Sequence, residues 1–223
     1  MFNQFDLKKP ACWHLALSNK ELTYLERAIG ITFFAGLTAL CAQFSLPVNW
    51  TPVPYTFQTF AVMATGVYLR RNDAFLSGGL YLLVGALGAP IFAGGGDALF
   101  SENMLVASGG YLIAFPFASA LVAEGLDRSR KAGVADLKAQ IICWSLAMIP
   151  VYAFGTLWLD YAVSSPGFDL AWAFEVGTLP FLLWDFGKIV LLGLVTTKVW
   201  SYEPFDEELD EDDSNERPPG VTV

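Results

Sequence analysis

Long apolar stretches separated by short polar connections dominate the chain from residue 28 to residue 200. About six of them approach the 17–25 residues that carry a helix across a bilayer. They are Ala28–Leu46, Tyr55–Leu69, Ala74–Ala89, Gly109–Leu126, Ala139–Val163 and Gly177–Trp200. The second and third are short and contain glycine, a length that tilt or buried surroundings accommodate. The pattern predicts an all-α membrane protein, with a bundle of six transmembrane helices over residues 28–200. Ahead of it, "ACWHLALSNKELTYLERA" (11–28) suits a short helix lying on the membrane surface, with Trp13 and Tyr24 at the headgroups. Residues 1–27 are therefore expected to form a cytoplasmic or interfacial segment.

Composition supports this reading. The 223 residues are 54% hydrophobic and only 16% charged, far less charge than a soluble domain of this length exposes. The net charge of −9 changes the picture only once it is located. Residues 203–217, "EPFDEELDEDDSNER", hold nine acids and one base, and without them the chain is close to neutral. Residues 201–223 thus read as an acidic disordered tail, separate from the membrane body. A nearly neutral body gives no footing for a nucleic-acid partner. Cys12, Cys41 and Cys143 are odd in number and lack a Cys-x-x-Cys spacing, so neither a disulfide framework nor zinc is expected. The first residues also lack the charged start, apolar core and cleavage site of a signal peptide.

Lys and Arg orient the bundle through the positive-inside rule. With the N-terminus inside, Lys8, Lys9, Lys20, Arg27, Arg70, Arg71, Arg128, Arg130, Lys131, Lys138, Lys198 and Arg217 all fall on the cytoplasmic side. The connections around 47–54, 90–108 and 164–176 contain no Lys or Arg. A multi-pass protein of the cell membrane with both termini cytoplasmic is the expectation.

One base remains. Lys188 lies inside the last span, within "PFLLWDFGKIVLL" (180–192), three residues from Asp185. An ionised side chain at the bilayer centre costs roughly 2.5–3.5 kcal/mol on the insertion scale, so such residues mark functional sites. The i, i+3 spacing puts both on one helical face. Asp185 falls about eight residues in from the outer end, roughly 12 Å deep.

Other unusual residues converge on that outer half. Pro47, Pro52 and Pro54 stiffen the first outer loop into extended backbone. Gln58 follows as an amide at the outer end of span two. The second outer loop carries Gly94-Gly95-Gly96, which tolerates φ > 0 and close approach to a ligand, and a loop of this kind can form a lid. Gly109, Gly110 and Tyr111 open span four at the same level. Together these residues describe an outward-facing pocket with aromatic walls and few polar contacts, suited to a small, mostly apolar ligand with a compact polar head. Taken singly, each has a plainer reading: a helix-pairing ion pair, a flexible loop, a helix-to-helix hydrogen bond, an interfacial tyrosine.

"PVPYTFQTF" (52–60), "GAPIFAGGG" (88–96), "SGGYLIAFPFA" (108–118) and "LPFLLWDFGK" (179–188) resemble, in the same order, the motifs of the BioY family, the biotin-binding S components of energy-coupling factor (ECF) transporters. The resemblance covers roughly residues 28–200 and implies six transmembrane helices, an ordered external loop over a ligand pocket, and high-affinity capture of biotin from outside. It implies that Asp185 and Lys188 hold the ureido head, whose two N–H donors and one C=O acceptor match a carboxylate and an ammonium. Gln58, Phe92, Gly94, Gly95, Ser108 and Tyr111 are the other substrate-binding residues implied. The chain departs from the family at 106–111, where Val106-Ala107-Ser108 precedes Gly-Gly-Tyr in place of Gly-Pro-Thr. Asp97 and Glu102 have no assigned role.

No Gly-x-x-x-x-Gly-Lys-[Ser/Thr] occurs, so ATP hydrolysis is left to partners, which the resemblance implies are a coupling membrane protein and ATPase subunits. It also implies that Ala35 and Ala39, a small-xxx-small pair in span one, meet the coupling protein, although a contact inside the bundle explains them equally. No cofactor is expected. An enzyme is the rival class, but His14, the one histidine, sits in the N-terminal segment far from the outer cluster. An S component or small secondary transporter for a different vitamin-like solute stays open, with Asp185 as a proton carrier. The tail lies outside the resemblance. Truncation after Tyr202 is therefore expected to leave ligand binding by the purified protein unchanged, and a large loss of affinity would give the tail a part in the site.

Overall fold

The computed structural model describes residues 22–95, 100–101, 104–105, 107–132, 137–163 and 168–200. The surface segment with Cys12, Trp13 and His14, the acids Asp97 and Glu102, and the acidic tail lie outside the described residues. Helix α1 (Tyr24–Gln43) starts at a capping box, in which Thr23 Oγ1 accepts from the Glu26 amide and the Glu26 carboxylate accepts from the Thr23 amide. A hairpin follows, β1 (Ser45–Val48) and β2 (Thr51–Thr56), then α2 (Gln58–Tyr68) and α3 (Arg71–Ala86). A 3₁₀ turn at Ala93–Gly95 and a second small hairpin, β3 (Phe100–Ser101) with β4 (Met104–Leu105), lead into α4 (Gly109–Lys131). Helices α5 (Leu137–Val163), α6 (Leu170–Gly177) and α7 (Leu179–Trp200) complete the described residues.

The structure differs from the expected segments in instructive places. The proline-rich outer loop is extended, as its residues require, and it also pairs with itself: Ser45 faces Thr56, Leu46 faces Tyr55, and Val48 faces Thr51. The register slips between Leu46 and Val48, where Pro47 has no N–H to donate. Tyr55, expected to open a helix, belongs to this strand. The last span is preceded by α6, whose N-cap Asp169 accepts from the Trp172 amide. Among the described residues, four helical stretches are long and apolar enough to cross a bilayer: Tyr24–Gln43, Gly109–Ser129, Gln140–Val163 and Leu170–Thr196. Helices α2 and α3, at 11 and 16 residues, fall short of that length. Nine of the α2 residues are buried, so this helix is solvated by protein and its length need not match the lipid.

The outer surface is apolar, and a few polar side chains are buried within an apolar core. Ile29, Phe33, Leu183 and Leu194 are exposed, whereas Gln58, Thr59, Asp73, Asp185 and Lys188 are buried. Buried hydroxyls fold back onto their own helices, as Thr65 does to the Ala61 carbonyl and Thr196 to that of Leu192. One end of the bundle gathers charge: Arg27 on α1 makes a forked contact with the buried Asp73 of α3, at 2.6–3.1 Å, and Arg128 pairs with Glu124 on α4. The hairpins and the Ala93–Gly95 turn lie away from this end.

Helix α2 reaches α4 at Gly66. A Cβ there would collide with the Ser119 carbonyl and the Val122 side chain, so backbone itself forms the contact. Gly66→Ala is expected to destabilise the protein by about 1–3 kcal/mol through overpacking, measured as a lower melting temperature in detergent. Gly36→Ala, whose new methyl meets nothing within 4 Å, should melt at or above the parent temperature. Equal losses at both positions would refute the close approach.

Candidate ligand-binding site

The expected i, i+3 pair forms. On α7, Lys188 Nζ lies 2.6 Å from Asp185 Oδ1, and both side chains are 5% exposed. Two buried charges of opposite sign hold in dry surroundings only if their remaining hydrogen-bonding capacity is met. It is met by residues from two other helices. The Thr59 hydroxyl of α2 donates to Asp185 Oδ1 at 2.7 Å and accepts from Lys188 Nζ at 2.7 Å. The Tyr152 hydroxyl of α5 donates to Asp185 Oδ2 at 2.7 Å. Asp185 thus accepts three bonds, and Lys188 uses two of its three N–H donors on the network. Lys188 Nζ also lies over the Trp184 ring, 5.5 Å from its centre.

This network borders a cavity of about 50 Å³, lined by Gln58, Thr59, Tyr152, Asp185 and Lys188 on its polar side. Leu112, Phe115, Val151 and Phe181 form the apolar side, β2 contributes Val53, Pro54 and Thr56, and Ala93, Ser108 and Tyr111 close the boundary. The Phe181 ring is fixed by stacking on Tyr55, with centroids 4.6 Å apart.

Of the residues expected at the site, five line this cavity: Gln58, Ser108, Tyr111, Asp185 and Lys188. Gln58 is already engaged, accepting from Thr56 Oγ1 at 2.9 Å and donating to the Tyr81 hydroxyl at 2.6 Å. Tyr81 in turn donates to the Ile91 carbonyl, so Gln58 is tied to the loop after α3. Tyr111 donates to the Gly177 carbonyl at 2.7 Å while its ring lies against Gly155, where no side chain would fit.

Phe92, Gly94 and Gly95 are placed differently. Phe92 is 4% exposed and packs edge-on to Tyr81 against Gly85 of α3, which makes it an anchor for the loop; its neighbour Ala93 is the residue that meets the cavity. Gly94 and Gly95 have φ of 67° and 82° and turn the chain beside Ala93. Of the small-residue pair in α1, Ala35 is 7% exposed and packs in the bundle, while Ala39 is half-buried against the core.

Thr59 and Tyr152 also line the cavity and bond Asp185, and the sequence reading missed both. Thr59 adjoins Gln58 and gave no separate signal, since threonine is ordinary in membrane helices. Tyr152 did carry one. It lies mid-helix, where tyrosine is remote from the headgroups it usually seeks and needs a buried partner for its hydroxyl.

The BioY family model matches residues 16–205. A relative from Pyrococcus horikoshii named probable biotin transporter BioY is 34% identical over 171 residues, covering 76% of this chain and 93% of the relative. The biotin transporter BioY of Thermotoga maritima is 28% identical over 187 residues, covering 80% and 98%. Among solved structures, the S-component for biotin from an ECF-type ABC transporter superposes with a TM-score of 0.70 at 21% identity, over 82% of this chain and 96% of that one. The fold is therefore shared with that structure.

The geometry predicts non-additive stability. Lys188→Met leaves a buried carboxylate without its counter-charge and is expected to cost about 3 kcal/mol, read as a lower melting temperature. The double change Asp185→Leu with Lys188→Met should recover most of the loss. A Lys188→Met protein as stable as its parent would mean that the pair is hydrated.

Proposed function

The chain belongs to the BioY family, and from that membership we propose that it captures biotin and takes part in its uptake as the substrate-binding subunit of an ECF-type transporter. It is a multi-pass membrane transport protein and not an enzyme. Biotin is its ligand, and no cofactor is required by this reading. The observation that carries the proposal is the buried Asp185–Lys188 pair on the wall of a cavity otherwise lined by apolar and aromatic side chains. A ureido ring offers N–H donors for the carboxylate and a carbonyl for the third N–H of Lys188. The thiophane ring and valerate chain then lie against Leu112, Phe115, Val151 and Phe181.

In this reading Gln58, Ser108 and Tyr111 contact the ligand, while Phe92, Gly94 and Gly95 act through the loop. The cavity opens to the external side and both termini lie in the cytoplasm. The described Arg27, Arg71, Arg128 and Lys131 gather at helix ends away from the cavity, which supports that orientation. The 28–200 region acts as the membrane domain, and the acidic tail is an appendage. Coupling and ATPase subunits supply the energy, since the chain lacks a phosphate-binding loop. A cavity of about 50 Å³ is small beside the roughly 300–1,000 Å³ of ligand clefts. Admission of biotin thus requires part of the wall to move, and the loop between α3 and α4 is the proposed lid.

Biotin titrated into the purified protein is expected to bind tightly. Asp185→Asn or Lys188→Ala should weaken binding at least tenfold, or about 1.4 kcal/mol. Normal binding by both variants would make the pair purely structural.

A further inference from the structure

Of the three donors on Asp185, one differs in kind. Lys188 is charged and on the same helix, and Thr59 bonds both Asp185 and Lys188, so these three form a closed triangle. Tyr152 stands outside it. Its phenol makes a single contact, at 2.7 Å to Oδ2, from a helix on another side of the cavity, and its side chain is part of the cavity wall. The oxygen it holds is the acceptor of the pair that the triangle leaves over.

We propose that Tyr152 is a specificity-determining residue that competes with the ligand: its hydroxyl occupies Asp185 Oδ2, and binding proceeds by exchanging this O–H donor for a ligand N–H. This rests on the reading of the cavity as a site for a cyclic urea. The exchange conserves hydrogen bonds at Asp185, because an N–H replaces an O–H on the same lone pair. The adjacent ligand carbonyl takes the third N–H of Lys188, and movement of the tyrosine side chain adds volume to a cavity of about 50 Å³. Tyr152 therefore sets a threshold. A ring with an N–H next to its carbonyl repays the displaced bond. A ring ketone, lactone or N,N′-dimethylated urea that displaces the tyrosine leaves a buried carboxylate oxygen without a donor, the most penalised outcome for such a group. Selection is then made on donor chemistry as well as on shape.

The test uses the full-length protein in detergent, with calorimetric titration of biotin and, separately, of 2-imidazolidinone, the bare cyclic urea. Tyr152→Phe removes the competing hydroxyl and keeps the ring. It is expected to bind both probes about tenfold more tightly than the parent and to melt at a lower temperature without them. Tyr152→Leu removes the same hydroxyl without an aromatic ring and carries the same expectation, should the phenylalanine variant fold poorly. A purely structural tyrosine would lower the melting temperature without tightening binding, and a direct ligand contact would weaken binding on removal. Either result overturns the proposal. If the parent protein binds 2-imidazolidinone but not biotin, the vitamin assignment fails while the exchange is still judged by the variants. If it binds neither, both fail.

Discussion

A carboxylate and an ammonium 2.6 Å apart inside an apolar bundle constrain everything around them. Each would be costly alone, and the pair is tolerable only with its lone pairs and protons engaged. Asp185 and Lys188 share a face of α7, but one helix cannot satisfy both. Thr59 must reach them from α2 and Tyr152 from α5, so three helices have to meet at one level. Helix α2 begins with Gln58 and Thr59 at this level, which leaves backbone above it to be accounted for. The β1–β2 hairpin does so by pairing its own peptide groups and setting Val53 and Thr56 against the bundle. A short buried helix under a hairpin is thus a consequence of where the charges sit.

The rest of the bundle keeps α2 in place. Contact with α4 through Gly66 brings the two backbones together without an intervening side chain. At the far end, the Arg27–Asp73 contact joins α1 to α3, and Ser77 donates to the Ile31 carbonyl of α1. That end holds by charge pairs at helix termini. The cavity end holds by a buried network and a loop. The two meet in the chain Gln58–Tyr81–Ile91, which runs from the cavity wall through α3 to the loop carrying Phe92. Gln43 adds bonds to the Ile91 and Phe92 carbonyls from α1. A displacement of the Gln58 amide would therefore be felt by the anchored side of the loop.

The ion pair was legible in the sequence because charges in an apolar run have few explanations and a fixed helical spacing. So was the collection of Gln58, Ser108, Tyr111, Asp185 and Lys188 at one place, which followed from hydropathy, the distribution of Lys and Arg, and motif resemblance. The hairpin was not, since Pro47, Pro52 and Pro54 dictate extended backbone without naming its partner strand. The packing of Phe92 was not legible for a related reason. An aromatic next to glycines suits a ligand clamp, and that its ring fills the space left by the missing side chain at Gly85 of α3 is a matter of how the loop folds back. Ala35 and Ala39 posed the same difficulty: small residues permit close approach, but which neighbour approaches is a tertiary fact. Thr59 lacked any mark of its own.

The cavity boundary is uneven in strength, and this bears on how a ligand enters. Phe181 is stacked on Tyr55, whose hydroxyl donates to the Pro180 carbonyl, so β2 and the start of α7 restrain each other. Tyr111 is wedged against Gly155 and bonded to the Gly177 carbonyl, which ties α4, α5 and α6. Moving either wall would break aromatic packing and hydrogen bonds together. The restraint at Ala93 is slighter: the anchored Phe92 precedes it, two glycines with positive φ follow, and the Gly95 amide closes the turn by donating to the Phe92 carbonyl. A change of torsion at Gly94 and Gly95 would break that one bond and leave the Phe92 contact with α3 in place. Positive φ at two successive glycines beside an anchored Phe92 is what makes this boundary the candidate for the proposed lid.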